Sequence, residues 1–104
     1  MKNDVFDSTE QTRYSIIPTS QFRKDYKLAK KRGLKMEELA GIIVMLANGK
    51  TLPEKHKDHE LSGDWTGHRE CHIQADWLLI YRIQKDILVL SLVRTGTHSD
   101  LFTK

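Results

Sequence analysis

Two stretches in the first half of the chain repeat apolar residues at helical spacing. In the first, Phe22, Tyr26 and Ala29 recur at positions i, i+4 and i+7, between a capping Thr-Ser pair at residues 19–20 and a glycine. The second covers residues 36–47 and stops at an Asn-Gly pair. Because only a few residues separate the two runs, they predict an antiparallel helical hairpin.

The remaining apolar runs are typical of β-strands. A short first strand is predicted at residues 13–17, where a proline ends it. After a polar loop over residues 50–58, further strand segments follow, separated by turn-sized polar gaps, at residues 60–65, 67–73, 76–83 and 87–94. Both faces of the last two are apolar, which predicts central strands covered on both sides. The order of elements predicts an α+β fold, in which an N-terminal strand and the antiparallel helical hairpin pack on an antiparallel β-sheet.

Length and composition narrow the class of protein. A chain of 104 residues with 38% hydrophobic and 30% charged residues is typical of one globular domain, which we place at residues 13–104. We expect residues 1–12, which are polar and acidic, to be a mobile leader. No apolar run approaches the roughly 20 residues that cross a bilayer, and the N-terminus lacks the apolar core of a secretory signal. We therefore expect a cytoplasmic protein without membrane contact.

The second half also holds most of the residues that can carry chemistry. Four of the five histidines lie at positions 56, 59, 68 and 72, and His98 follows the last predicted strand. Three interpretations fit such a cluster: a metal site, acid–base cleavage of RNA, or a basic binding module without catalysis. The net charge is +3 for the whole chain and +5 without the acidic leader, which carries −2, and this basic bias favours a polyanionic partner. Residues 68 and 72 are about 13 Å apart along a strand, which argues against one shared metal ion.

RNA cleavage needs a base for the 2′-OH proton, an acid for the departing 5′-oxygen and a cation near the phosphate. Histidines together with Asp76 can supply the proton transfer, and Arg94 can supply the cation. The need for a 2′-OH restricts such a site to RNA. Trp77 and Phe102 are candidates for stacking on a base, although both can equally serve core packing.

Four motifs carry a family resemblance. They are KDHELSGDW at residues 57–65, GHRECHI at 67–73, DWLLIY at 76–81 and RTGTHSDLF at 94–102. In this order they resemble the YafQ-like branch of the RelE/ParE toxin superfamily, and the similarity covers about residues 13–102. The resemblance implies a ribosome-dependent mRNA interferase, which is a toxin of a type II toxin–antitoxin system. It also implies cleavage without a metal or cofactor, by 2′-OH attack, leaving a 2′,3′-cyclic phosphate and a 5′-hydroxyl.

The resemblance also assigns roles to particular residues. The family's catalytic set falls here on His59, His72, Asp76, Arg94, His98 and Phe102. Of these, His98 and Asp76 are the predicted proton-transfer pair, Arg94 the cation for the transition state, and Phe102 the residue that positions a base. Which group is the acid and which the base stays open. RNA contacts are predicted for Lys57, Arg69 and Trp77.

The implied partners are a cognate antitoxin, the ribosome and mRNA, with operator DNA bound through the antitoxin. Two alternatives remain. One is a ParE-like inhibitor of DNA gyrase on the same fold, against which the histidines, Asp76 and Arg94 argue. The other is a non-catalytic domain that binds RNA or the ribosome.

Overall fold

The computed structural model describes residues 11–102, which form three α-helices and a five-stranded sheet. The predicted leader at residues 1–12 lies outside the described residues except for its last two. The helices and strands, in chain order, are β1 Ser15–Pro18, α1 Ser20–Lys31, α2 Met36–Ala47, β2 His59–Glu60, β3 Arg69–Gln74, β4 Trp77–Gln84, β5 Val89–Gly96 and α3 His98–Phe102. Two 3-10 turns lie at Glu54–His56 and Gly63–Trp65.

Local sequence accounts for both long helices. Thr19 has an extended backbone, and its Oγ1 accepts a hydrogen bond from the backbone N–H of Phe22 at 2.9 Å, which caps α1. The apolar stripe of α1 then buries Phe22 and Ala29, and the stripe of α2 joins the same hydrophobic cluster through residues such as Leu39 and Ile43. The predicted positions of the two helices are confirmed.

The sheet is mixed, which corrects the expectation of a purely antiparallel sheet. Its strand order is β1-β5-β4-β3-β2, and β1 runs parallel to β5, with Ile16 opposite Leu90. The other three pairings are antiparallel. A parallel neighbour requires a long crossover, and here both long helices and three strands lie between the two partners. The apolar pattern of β1 shows that it is a strand but does not specify the direction of its partner.

Each face of the sheet packs against its own hydrophobic cluster. Leu79 and Tyr81 of β4 face the cluster that contains the two long helices. Leu78 and Ile80 face the opposite side, where Leu101 of α3 covers them. This arrangement confirms that β4 is covered on both faces, and the α+β fold class is confirmed with it.

Two short segments differ from the sequence prediction. Residues 60–65 were expected to be a strand, but only His59–Glu60 pairs with β3 before the chain enters the second 3-10 turn. Gly63 has a φ of +66°, a conformation that breaks a strand and that glycine adopts at low cost. The short helix α3 was not predicted. None of the described helices is both long and apolar enough to span a bilayer.

Candidate active site

Three histidines and one acidic residue come together on the sheet face that the long helices leave uncovered. Cys71 of β3 belongs to the helix-side cluster, so Glu70 and His72, its neighbours along the strand, point to the opposite face. His59 of β2 lies opposite Glu70 in the antiparallel register. Helix α3 then brings His98 to His72, with 5.8 Å between the ring centroids.

A capping box fixes the start of α3, the helix that carries His98. Oγ1 of Thr97 accepts from the backbone N–H of Asp100, whose carboxylate accepts from the backbone N–H of Thr97, both at 3.0 Å. Arg32, which directly follows α1, adds an ion pair to Asp100 at 2.7 Å, and this hydrogen bond is the main reason that the pKa of Asp100 lies well below its usual range. A Cβ at Gly96 would lie 2.9 Å from the Asp100 carboxylate, so the close approach requires glycine.

His98 and Asp76 form a hydrogen-bonded pair that solvent can reach. Oδ1 of Asp76 accepts from the backbone N–H of His98 at 3.0 Å and from its ring Nδ1–H at 2.8 Å. Both hydrogen bonds lower the pKa of Asp76, and the bond from the backbone N–H has the larger effect. Asp76 is therefore held as a charged carboxylate. A carboxylate only accepts, which places the proton on Nδ1 of His98 and the lone pair on Nε2. Asp76 therefore orients an imidazole whose free nitrogen can take a proton.

Glu70 is a buried carboxylate that the sequence interpretation missed. Its side chain is only 6% exposed, and its Oε1 lies 3.3 Å from Nε2 of His59 and 4.0 Å from Nε2 of His72. Each contact is an ion pair only when the imidazole is protonated. A signal was present, because an acidic residue two positions before a histidine in a strand shares its face.

Hydrogen bonds also fix which ring nitrogen carries the proton in His59 and His72. Nδ1–H of His59 donates to the carbonyl oxygen of Lys57 at 2.7 Å, and Nδ1–H of His72 donates to that of Ala75 at 3.3 Å. Carbonyl oxygens only accept, so Nδ1 carries the proton in both rings. His59, His72 and His98 therefore all leave Nε2 as the nitrogen that a substrate or ligand can use.

An aromatic row borders the histidines. Phe102, in the last turn of α3, lies 6.3 Å from the ring of His98 and 6.4 Å from that of Trp65. Its side chain is 40% exposed, which leaves ring surface for contact with a base. Trp65 also packs edge-on to His68 at 5.4 Å. The placement of Phe102 beside His98 suits the base-positioning role that the resemblance implies.

Arg94 lies at a strand position that is aligned with Glu70 across the sheet, but its guanidinium is bound by Asp25 of α1. The strand registers place Arg94 opposite Ile80 and Ile80 opposite Glu70, two strands or about 10 Å away. Its Nε and Nη2 donate to Asp25 at 2.8 and 3.0 Å, which raises the pKa of Arg94. Asp25, 8% exposed, also accepts from the backbone N–H of Thr95 at 3.1 Å. Within residues 11–102, no hydrogen bond joins this guanidinium to a histidine.

The three predicted RNA contacts lie in different places. Lys57 is exposed and lines a surface cavity of about 850 Å³ together with His72. Arg69 points to the helix side of β3, where it pairs with Asp58 at 3.3 Å. Trp77 is 2% exposed in the core, and its indole N–H donates to Oγ1 of Thr95 at 3.0 Å. Trp77 belongs to the helix-side hydrophobic cluster, which favours core packing over base stacking.

The site also contains a set of possible metal ligands. One carboxylate oxygen of Glu70 and one ring nitrogen each of His72 and His98 lie within 4.8 Å of one another. The pair of histidines at residues 68 and 72, which the sequence analysis weighed as metal ligands, does not form this set. It combines a strand pair with a residue from α3, which only the fold brings together.

Comparison with known proteins identifies the family. The family model for the bacterial toxin of type II toxin–antitoxin system, YafQ, matches residues 14–103. The chain belongs to the YafQ toxin family. The resemblance drawn from the four motifs is thereby confirmed.

Three relatives of this YafQ-family chain are informative. The mRNA interferase toxin YafQ of Escherichia coli strain K12 is 42% identical over 85 residues, which are 81% of this chain and 90% of the relative. The crystal structure of the E. coli DinJ–YafQ toxin–antitoxin complex matches with a TM-score of 0.80 and 41% identity, over 86% of this chain and 98% of that one. A metal-bound toxin from Helicobacter pylori matches with a TM-score of 0.79 and 41% identity, over 84% of this chain and 97% of that one.

Proposed function

We propose that this YafQ-family toxin is an mRNA interferase that cuts messages on the ribosome by acid–base catalysis with its own side chains. Membership of the family and the relative named as an mRNA interferase support the activity. The observation that carries the mechanism is the Asp76–His98 pair, 2.8 Å between Oδ1 and Nδ1, with the ring of His72 5.8 Å from that of His98.

In this mechanism His98 is the general base. Asp76 holds Nδ1–H, so Nε2 accepts the proton of the 2′-hydroxyl while the 2′-oxygen attacks the phosphorus. The side chain of Asp76 is 63% exposed and charged, and it stabilises the imidazolium that forms. Asp76 is therefore a positioning residue and not itself the base.

His72 is the general acid. Its Nε2 faces the buried carboxylate of Glu70, which forms an ion pair only with the protonated ring, the form that an acid needs. As the bond from phosphorus to the 5′-oxygen breaks, His72 donates its proton to that oxygen. The products are a 2′,3′-cyclic phosphate and a 5′-hydroxyl, and protons balance between the two histidines.

The other site residues bind the substrate. His59, when protonated, and Arg94 attract the negative phosphate oxygens, and the ion pair with Asp25 keeps the Arg94 side chain oriented. Phe102 stacks on a nucleobase next to the cleaved bond. Lys57, beside His72, contacts the RNA backbone. Arg69 and Trp77 are not assigned RNA contacts in this mechanism, because Arg69 pairs with Asp58 on the helix side and Trp77 is buried.

We further propose the partners that such a toxin requires. A cognate antitoxin fits a type II system and is supported by the structure of the E. coli toxin–antitoxin complex. The ribosome and mRNA are the proposed substrate assembly, and the antitoxin would connect the complex to operator DNA. The toxin itself acts in the cytoplasm, where ribosomes translate.

Cleavage of mRNA on programmed ribosomes tests the proposal. We expect the wild-type chain to cut in the A site, and His98→Ala to cut ~10²–10⁴-fold more slowly while still binding ribosomes. His68→Gln is the matched histidine control, because among residues 11–102 the His68 ring is hydrogen-bonded to the carbonyl oxygen of Trp65 and to none of the proposed catalytic groups. The cleavage rate of this variant should stay unchanged. An unimpaired His98→Ala would overturn the mechanism, and equal cutting of free mRNA would overturn ribosome dependence.

Each of the two alternative functions predicts an assay result that differs from that of a ribonuclease. Ribosome binding without cleavage by the wild-type chain would favour a non-catalytic binding domain. Inhibition of DNA gyrase supercoiling by the purified chain would favour the ParE-like function. Either result would replace the ribonuclease proposal.

A further inference from the structure

We propose that a cleft beside His72 binds the base of the nucleotide on the 3′ side of the cut, and that the cleft selects guanine. It lies at the edge of the sheet, between α2, the end of β3 and the first 3-10 turn, and has a volume of about 850 Å³. This volume is typical of sites for small organic ligands. The choice of nucleotide rests on the proposed function, because it uses His72 as the general acid.

The assigned acid decides which nucleotide reaches the cleft. His72 lines the cleft and also lies beside His98, where the proposed mechanism has it protonate the departing 5′-oxygen. That oxygen belongs to the nucleotide on the 3′ side of the cut, whereas the nucleotide on the 5′ side carries the attacking 2′-hydroxyl and lies at His98 and Phe102. Gln74 is two residues after His72, about 7 Å farther along β3, a distance that one nucleotide can bridge.

The cleft has an apolar floor that suits a flat base. Ile42 of α2 and Ile73 of β3 are 4% and 5% exposed, and the half-buried Met45 also lines the cleft. His56 fixes one wall, because its Nδ1–H donates to the backbone carbonyl oxygen of His72 at 2.7 Å. This hydrogen bond ties the first 3-10 turn to β3.

Gly41 leaves room for the base on the α2 side of the cleft. Glycine in the middle of a helix is less stable than alanine. Its φ is not positive here, and a Cβ at Gly41 would meet no heavy atom of residues 11–102 within 4 Å outside its own helix, so the fold does not require glycine. The effect of this residue is to omit a side chain that would otherwise fill part of the cleft.

A carboxylate and an amide on the rim present hydrogen-bond acceptors to the base. The side-chain amide nitrogen of Gln74 donates to Oε1 of Glu38 at 3.1 Å. A carboxylate only accepts, so the amide nitrogen must face it, which leaves Oε1 of Gln74 and Oε2 of Glu38 for a ligand. Guanine is the one base with two neighbouring N–H donors, N1–H and the N2 amino group, on its Watson–Crick edge. Adenine, cytosine and uracil each have one donor there beside an acceptor, which the second oxygen would repel.

The charges on the rim favour entry of a base over entry of a phosphate. Glu37 and Glu38 are matched by Lys55 and Lys57, and all four residues are exposed. The lysines attract the RNA backbone to the mouth of the cleft. The carboxylates repel a phosphate group and accept hydrogen bonds from N–H donors, so the neutral base enters.

Nucleotide binding tests the cleft without measuring cleavage. The full, isotope-labelled chain is titrated with guanosine 5′-monophosphate (GMP) and adenosine 5′-monophosphate (AMP), whose phosphate stands for the one at the cut. NMR spectra follow the backbone N–H of Gly41 and the side-chain amide of Gln74. We expect GMP to shift both signals and AMP to bind at least ~5-fold more weakly, the lower end for a bidentate contact to a base.

Two α2 variants provide the matched comparison. Gly41→Leu fills the cleft and should abolish the GMP shift at Gln74, whereas Val44→Leu, at an exposed α2 position outside the cleft, should bind GMP like the wild type. Circular dichroism checks that both variants are folded. No GMP shift at Gln74 in the wild type, or an undiminished shift in Gly41→Leu, would overturn the cleft.

Cleavage on ribosomes then tests the base preference. Among messages that differ only in the base after the mapped cut, guanine should give cutting at least ~5-fold faster than adenine. Glu38→Gln replaces one acceptor by a group that can also donate, so it should reduce the guanine preference and speed cutting before adenine. Glu54→Gln, the same change on an exposed residue outside the cleft, should keep the wild-type preference. Equal rates for all four bases, or an unchanged preference in Glu38→Gln, would overturn the selection of guanine.

The two experiments separate this proposal from the proposed function. A chain that binds GMP in the cleft but cuts no RNA would overturn the ribonuclease function and leave the nucleotide site intact. A chain that cuts RNA but shows no GMP shift at Gln74 would overturn the cleft and leave the ribonuclease function intact.

Discussion

The ion pair between Asp25 and Arg94 should make a large contribution to folding stability. The Asp25 carboxylate accepts three hydrogen bonds from β5, two from the Arg94 guanidinium and one from the backbone N–H of Thr95, at 2.8 to 3.1 Å. It lies where β1 no longer pairs with β5, whose paired residues end at Leu92. The carboxylate therefore replaces a neighbouring strand at this edge of the sheet.

In Asp25→Ala these donors lose their acceptor. Thr95 is only 2% exposed, so its N–H is left without a partner at a cost of ~1–3 kcal/mol. The Arg94 side chain is 24% exposed, so water can replace part of the lost hydrogen bonding. The cost of losing its two bonds to Asp25 is therefore ~1–2 kcal/mol. We therefore expect Asp25→Ala to lower the free energy of unfolding by ~3 kcal/mol, which for a domain of this size lowers Tm by ~12–24 °C. Asp25→Asn, which keeps one acceptor oxygen, should lose about half as much.

Urea unfolding followed by circular dichroism measures this loss. The control is Glu60→Ala, because Glu60 is 84% exposed and lies 3.7 Å from Arg69, and a surface pair of this kind is worth at most ~0.5–1 kcal/mol. If Asp25→Ala and Glu60→Ala cost the same, the carboxylate would not support β5 as described.

Two further predictions concern the core and the α3 cap. Cys71 is fully buried and its pKa is raised mainly by desolvation, so iodoacetamide should leave it unmodified in the folded chain and label it fully in urea; labelling at equal rates in both states would contradict its burial. Gly96→Ala should displace the Asp100 carboxylate, weaken the capping box and lower the free energy of unfolding by ~1–3 kcal/mol in a thermal melt, and an unchanged Tm would show that the cap does not need glycine.

The parts of the fold that were predictable are those that depend on near neighbours. The two long helices were predicted because apolar residues recur every turn, and Thr19 caps α1 as its residue type suggested. The parallel pairing of β1 was not, since its partner Leu90 lies far along the chain from Ile16. Helix α3 escaped prediction because five residues hold too little periodicity, although Thr97 and Asp100 carry the signature of a capping box.

The residues of the candidate site also fall into two groups, those that sequence motifs identify and those that only the fold reveals. Motifs identified His59, His72 and His98, whose residue type already suggests proton transfer. Glu70 and Asp25 were missed because their roles come from partners that only the fold brings near, and because an acidic residue in a sequence is usually a solvated one. Sequence could not decide whether Trp77 stacks on RNA or packs, whereas the interior hydrogen bond to Thr95 favours packing.

The proposed division of labour between His98 as base and His72 as acid is tested most directly with an altered leaving group. Programmed ribosomes receive a message whose 5′-oxygen at the cut site is replaced by sulfur, because a thiolate departs without a proton. The sulfur substrate should restore most of the ~10²–10⁴-fold loss in His72→Ala and leave His98→Ala slow, since the 2′-hydroxyl still needs a base. Rescue of His98→Ala to the same extent, or no rescue of His72→Ala, would contradict the proposed proton transfers.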